Sequence, residues 1–280
     1  MKKLEPILVH VVVLAFVAFA LYPVLWVLSV ALSSAGMSSH GGVLPIPHGL
    51  TLDNARAVAG VGKPGGVALF LRQLTSSVVV SLGTAIVGVV VATPAAYALA
   101  RFKFLGARSA ERGLLATQMF PAVASAVPLY LILDALHLID TRLGLILVYA
   151  STAVPFAIFQ LRGSFETIPV DLEEAAMVDG ATRFQAFVRV VLPAARPAIA
   201  VTALFCFMAA WNEFILAATL LSRESSFTLP VVLQRYVGEH DAEWGPFAAG
   251  AILVSAPVMA FFYLVQKQLV AGLTAGGVKG

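Results

Sequence analysis

Hydrophobic positions in this chain run on rather than alternate. Six stretches, at about 7–32, 74–100, 113–133, 143–162, 198–221 and 246–269, are nearly unbroken apolar sequence. Each reaches about 20 residues, and a helix of that length, rising about 1.5 Å per residue, crosses about 30 Å of hydrocarbon. None has the period-two pattern of a barrel strand, and backbone in lipid must satisfy its own hydrogen bonds, so each run is predicted to be a helix. The first run, Ile7 to Leu32, follows Lys2 and Lys3 and has 26 residues. A signal h-region has about 7–15, so a retained span is predicted. The fold class is therefore all-α: a polytopic membrane protein with six transmembrane helices.

The pattern changes between the fourth and fifth runs. Residues 163–197 carry Glu173, Glu174, Asp179, Arg183, Arg189 and Arg196, with apolar residues between them at helical spacing. Asp171 to Glu174 has the spacing of a capping box, and Pro169 lies just before it, where it disturbs no helix interior. A short helix from Leu172 to about Asp179 is predicted, closed by Gly180 in the left-handed conformation. Thr182 to Gln185 repeats the capping spacing and opens a second helix. It is expected to end before Pro193, with Phe184, Phe187, Val188 and Val191 as its apolar stripe. Acidic and basic residues balance here. That fits poorly with a hairpin lying on an anionic leaflet and better with a docking element for a protein partner. Ala175 and Ala176 are small enough to admit another backbone closely.

Charge placement gives the orientation. With the N-terminus inside, the inner segments hold Lys2, Lys3, Arg101, Lys103, Arg108, Arg112, Arg162, Arg183, Arg189, Arg196, Lys267 and Lys279, which is 12. The outer segments hold Arg56, Lys63, Arg72, Arg142, Arg223 and Arg235, which is 6. That bias predicts cytoplasmic termini and a cytoplasmic insert at 163–197. Only 12% of the 280 residues are charged and 60% are hydrophobic. The net charge of +3 gives no reason to expect a nucleic-acid partner. The lone cysteine, Cys206, reads as a small buried hydrophobe, and no Cys/His cluster marks a metal site. No phosphate-binding GxxxxGK[ST] loop occurs, so the chain is expected to be neither a nucleotide-binding motor nor an enzyme.

Trp211, Asn212 and Glu213 interrupt the middle of the fifth run. An ionisable group there costs on the order of 2.5–3.5 kcal/mol, so it should face the bundle interior or a water-filled path. A translocation path lined by Trp211, Asn212 and Glu213, with Gln118 and Tyr130 of the third run as weaker candidates, or packing against a partner subunit, is one reading. A structural hydrogen bond that holds a kinked helix is the other. His137 reads as a solvated interface histidine. Pro23, Pro94, Pro121, Pro128, Pro155 and Pro257 lie in or near the spans.

The stretch EAAMVDGATRFQAFVRVVLP resembles the EAA motif of importer-type ABC permeases. It matches at Glu174, Ala175, Ala176, Gly180, Leu192 and Pro193, and departs at Val190, where the family usually has Ile. The segment WNEFILAATLL and the tail from Gly272 to Gly280 resemble the carbohydrate-uptake permeases, in particular the second permease subunit of maltose/maltodextrin and trehalose importers. The resemblance implies a type I ABC importer permease fold over residues 1–280, in a bacterial inner membrane. It implies a coupling role for Glu174 to Pro193, with Asp179 among the contacts, and a tail at 270–280 that contacts the ATPase through Gly276, Gly277 and Lys279. It implies these partners: a second, different permease subunit, two ATPase subunits that hold ATP-Mg, an extracytoplasmic sugar-binding protein, and lipid. No cofactor is implied for this chain itself. An ABC permease for a polyol or glycerol phosphodiester is the alternative. A secondary transporter is a more distant one, since no repeated halves are evident.

Overall fold

The computed structural model describes residues 4–34, 44–238 and 242–277. Among them there is no strand, only two isolated bridges, Ser33 to Leu50 and Val237 to Ala242. The long helices are α1 (Leu4–Ala31), α3 (Gly66–Arg101), α6 (Arg142–Thr167) and α13 (Trp244–Gly277). Shorter ones are α2 (Asp53–Val58), α4 (Ala107–Met119), α5 (Ala126–Ala135), α7 (Asp171–Val178), α8 (Arg183–Ala186), α9 (Leu192–Ala194), α10 (Arg196–Trp211), α11 (Ile215–Leu220) and α12 (Leu229–Gln234). Among the described residues four helices are long and apolar enough to span a membrane, and the count reaches six when each of two bent pairs is taken as one span.

Two expected spans are broken. The run at 113–133 is two helices, and the segments Ala107–Met119 and Val123–Ala135 meet at 95°. Pro121, which lacks an N–H, follows the last turn of α4 and holds extended backbone (ψ 128°). The run at 198–221 ends its first helix at Trp211 and resumes at Ile215. The interruption is the polar triplet itself, because a Glu213 side chain that binds backbone N–H groups competes with the helix ladder. At the other end of the chain α13 continues through Gly277, past the expected end of the sixth span, since no proline or polar cap intervenes after Pro257.

The chain forms two compact units. One comprises residues 1–72 and 231–256. Its core is Val30, Ala31, Ala248 and Ala249, with Trp26, Val27, Ala55 and Ile252 packed around them. Asn54 on α2 donates to the carbonyls of Ala31 and Ser33 at 2.9 Å each, which satisfies the C-terminal end of α1.

The other unit comprises residues 73–230 and 257–280. α6 lies at its centre, burying Leu145, Val148, Tyr149, Ala157, Ile158, Leu161 and Phe165, and it packs on α10 and α4. α3 presents mostly small or hydroxyl residues to this core, among them Ser76, Ser77, Ser81, Thr84, Ala85, Gly88, Ala92 and Ala96. In lipid there is little hydrophobic drive between helices, and small faces allow the close packing that replaces it. A Cβ at Gly88 would stand 3.1 Å from Cys206 Sγ, so the buried thiol fills the space that this glycine leaves. Away from the spans, Asp140 accepts from the backbone N–H groups of Ser222 and Arg223 at 3.3 Å, and pairs with the Arg223 guanidinium.

Candidate functional site

The insert is held by a buried clamp. Glu173 is 5% exposed. Its carboxylate accepts from the Tyr97 hydroxyl at 2.6 Å and from Arg101 Nε at 2.5 Å. Arg101 also donates to the Ile168 carbonyl at 2.8 Å. Tyr97 lies against Phe187 (4.3 Å between ring centroids) and edge-on to Phe165, while Arg183 covers the Phe102 ring at 5.2 Å. The end of α3 thus grips both helices of the insert. The capping box expected at Asp171 does not form: Val170 is the N-cap and no side chain caps the helix. Glu173 turns inward because two buried donors, one of them charged, hold a carboxylate more strongly than an exposed cap does.

Past α7 the turn and the second capping box form as expected. Gly180 has φ +92°. The Ala181 N–H bonds the Ala176 carbonyl at 3.0 Å and the Gly180 N–H bonds the Met177 carbonyl at 3.1 Å, which is a complete Schellman closure. Thr182 and Gln185 form the second capping box. The second helix does not end before Pro193. It widens into a π turn at Phe187–Val191 and continues through Leu192–Ala194 before a 74° bend into α10. A wide turn just before a proline accommodates a carbonyl that the missing N–H would otherwise strand.

The expected apolar stripe splits. Val191 is fully buried and Phe187 meets Tyr97, whereas Phe184 is 73% exposed and Val188 41%. With Val178 at 88% and Leu172 at 48%, they give the insert an exposed apolar surface. Glu174, Ala175, Asp179 and Gly180 are exposed beside it, and Ala176, Leu192 and Pro193 are half-buried.

The residues expected along a path separate into two groups. Trp211 is buried at 2% exposure and stacks on Phe207, which stacks in turn on Phe261. The Glu213 carboxylate accepts from the Tyr149 hydroxyl (2.7 Å) and from the N–H groups of Leu216 (2.8 Å) and Ala217 (3.0 Å). It caps the start of α11, a structural task. Asn212 and Gln118 are exposed, as are Tyr130 and His137. Gln118 lines a cavity of about 510 Å³ at the break between α4 and α5, together with Thr117, Ser125, Ser151 and Thr152. Its amide donates to the Thr152 carbonyl at 3.3 Å. Of the tail residues, Gly276 and Gly277 belong to α13, and Lys279 lies outside the described residues.

A model of the family described as binding-protein-dependent transport system inner membrane component matches residues 84–274. The chain belongs to this family. Its clamp, insert and cavity all fall inside the matched segment, and as a multi-pass inner-membrane transport component the chain is not an enzyme. It is 39% identical to the trehalose transport system permease protein SugB of Mycobacterium tuberculosis, over 94% of each chain. It is 38% identical to the maltose/maltodextrin transport system permease protein MalG of Salmonella typhimurium, covering all of this chain and 97% of that one. Among solved structures it is similar to a chain of a bacterial ABC transporter involved in import of the acidic polysaccharide alginate, with a TM-score of 0.75 and 26% identity over 95% of this chain and 96% of that one. The fold is that of an ABC importer permease.

Sequence reasoning passed over Tyr97, counted Arg101 only as an inner-side charge and gave Glu173 no role of its own. One signal was available: Tyr97 and Arg101 are one turn apart at the end of an apolar run, where a tyrosine and a cation share a helix face.

Proposed function

We propose that this permease is one of two different membrane subunits of an ATP-driven sugar importer, of the maltose/maltodextrin or trehalose class. Full-length similarity to permeases of both systems supports the class. The observation that carries the coupling role is the insert: an exposed apolar surface of Leu172, Val178, Phe184 and Val188, beside Glu174, Ala175 and Asp179, mounted on a buried clamp. An apolar surface on a rigid base suits a cleft in a partner protein. In this proposal the partner is a cytoplasmic ATPase dimer that binds ATP-Mg, an extracytoplasmic binding protein delivers the sugar, and both termini are cytoplasmic. The tail, including Gly276, Gly277 and Lys279, reaches the ATPases. Removing residues 272–280 is then expected to spare assembly and lower binding-protein-stimulated ATP hydrolysis. The decisive experiment is uptake of labelled maltose, trehalose and a glycerol phosphodiester by cells with and without this permease and its partners. Sugar uptake that depends on the permease supports the proposal, and phosphodiester uptake alone overturns it.

A further inference from the structure

The cavity at the α4/α5 break has a chemistry that selects its occupant. None of its lining side chains is charged. Three of the four hydroxyl groups of its wall already spend their protons: Thr117 donates to the Leu114 carbonyl, Ser151 to Val148 and Thr152 to Tyr149, at 2.7, 2.7 and 2.9 Å. Each hydroxyl oxygen keeps lone pairs and becomes an acceptor. Two prolines add to this. Pro155 and Pro121 line the cavity and have no N–H, so the Ser151 carbonyl lacks the donor that a helix would bring from position 155. The wall is therefore rich in acceptors. Gln118, with one amide proton committed to the Thr152 carbonyl, offers one further donor and its own carbonyl oxygen. Phe120, Met119 and Leu129 supply apolar surface.

Broken backbone at membrane depth is tolerated only where protein buries it or where it lines a water-filled cavity. A neutral, acceptor-rich wall with an aromatic and aliphatic side matches a ligand that carries many O–H donors and no charge. A phosphate ester would need N–H donors or a cation. The volume, about 510 Å³, falls within the usual range for a small-molecule site. We infer that this cavity is a sugar subsite of the permease, holding an uncharged polyhydroxyl ligand on the acceptors of Thr117, Ser151 and Thr152 with Gln118 as donor. The inference rests on the sugar-importer reading, and it excludes the phosphodiester alternative at this site.

The test uses the complete importer in lipid nanodiscs with its binding protein. Cys206, the one native cysteine of this chain, is buried at 2% exposure, so background labelling read on this subunit is low. Ser125→Cys is treated with a charged, water-soluble thiol reagent under ATP turnover, with maltose, trehalose or a glycerol phosphodiester as probes. The expected result is labelling that slows at least about fivefold with the sugar the wild type transports, and not with the glycerol phosphodiester. A second variant, Gln118→Leu, is expected to lower sugar uptake by up to about tenfold through the loss of one hydrogen bond, with normal assembly and ATPase docking. If the wild type transports neither sugar, the importer reading fails and the subsite with it. If the wild type transports sugar while Ser125→Cys is unreactive or labels equally with and without it, the subsite alone is overturned.

Discussion

Breaking the clamp should loosen the insert without unfolding the spans. Glu173 and Arg101 have side chains only 6% and 8% exposed, joined at 2.5 Å. Removing one member of a buried pair leaves the other charge uncompensated, and that costs about 3–5 kcal/mol. Arg101→Met therefore acts on α7 and its attachment to α3, and leaves Glu173 with the Tyr97 hydroxyl as its side-chain donor. At about 1.4 kcal/mol per factor of ten, local opening of residues 171–195 becomes roughly 140- to 3700-fold more frequent. Hydrogen exchange in nanodiscs, read over this segment and over α6 as an internal reference, measures it. Exchange should rise in the insert and stay unchanged in α6. Replacing all three groups with apolar residues, as Glu173→Leu, Arg101→Met and Tyr97→Phe together, should recover most of the loss, because a packed apolar substitute often matches a buried ion pair. If Arg101→Met exchanges like wild type over 171–195, the clamp does not hold the insert and the reasoning is wrong.

Other outcomes follow from single positions. At Gly180 a Cβ meets nothing within 4 Å, so Gly180→Val suffers only from φ +92°, about 1–2 kcal/mol. It should insert normally yet bind ATPase subunits poorly in pull-down. Glu213→Gln keeps one acceptor oxygen, enough for the Tyr149 hydroxyl and the Ala217 N–H, but sets its amide NH2 against the Leu216 N–H and removes the charge. If its role is capping, protein yield and thermal stability fall while the choice among sugars does not change, and altered selectivity at equal yield would reinstate a pathway role. For Asp140, burial opposes ionisation, but hydrogen bonds from the Arg223 side chain and from the backbone of Arg223 and Ser222 outweigh it and lower the pKa. A carboxyl depressed in the fold contributes stability above its unfolded pKa of about 3.9 and loses it as pH falls through the folded value. Thermal unfolding of wild type minus Asp140→Asn should therefore be flat from pH 6 to 8 and shrink only below about pH 4.

Much of this molecule could be read from its chain. Apolar run length located the helices, and Gly180 and the Thr182 to Gln185 spacing foretold the local geometry, because these signals depend on a few neighbouring residues. What escaped depended on tertiary partners. Nothing near Glu173 in the chain announces Tyr97 and Arg101, more than 70 residues away. The break at Asn212 escaped because an apolar run measures solubility in lipid and not continuity of the helix. Likewise Pro121 marked a candidate kink, and only packing turned that kink into a corner beside a cavity.

The π turn at Phe187–Val191 stores a spare residue. One residue more than an α-helix needs is taken up between the insert and α10 within a single wider turn. In a regular helix each residue turns the chain by about 100°. Deleting one residue from the π turn, and so restoring an α-helical count, would therefore leave the heading of Val178 and Phe184 relative to α10 nearly unchanged. Deleting a second, from what would then be regular helix, would swing them by about a quarter of a revolution. The turn thus tolerates one change of length without re-aiming the insert's exposed surface, and no more.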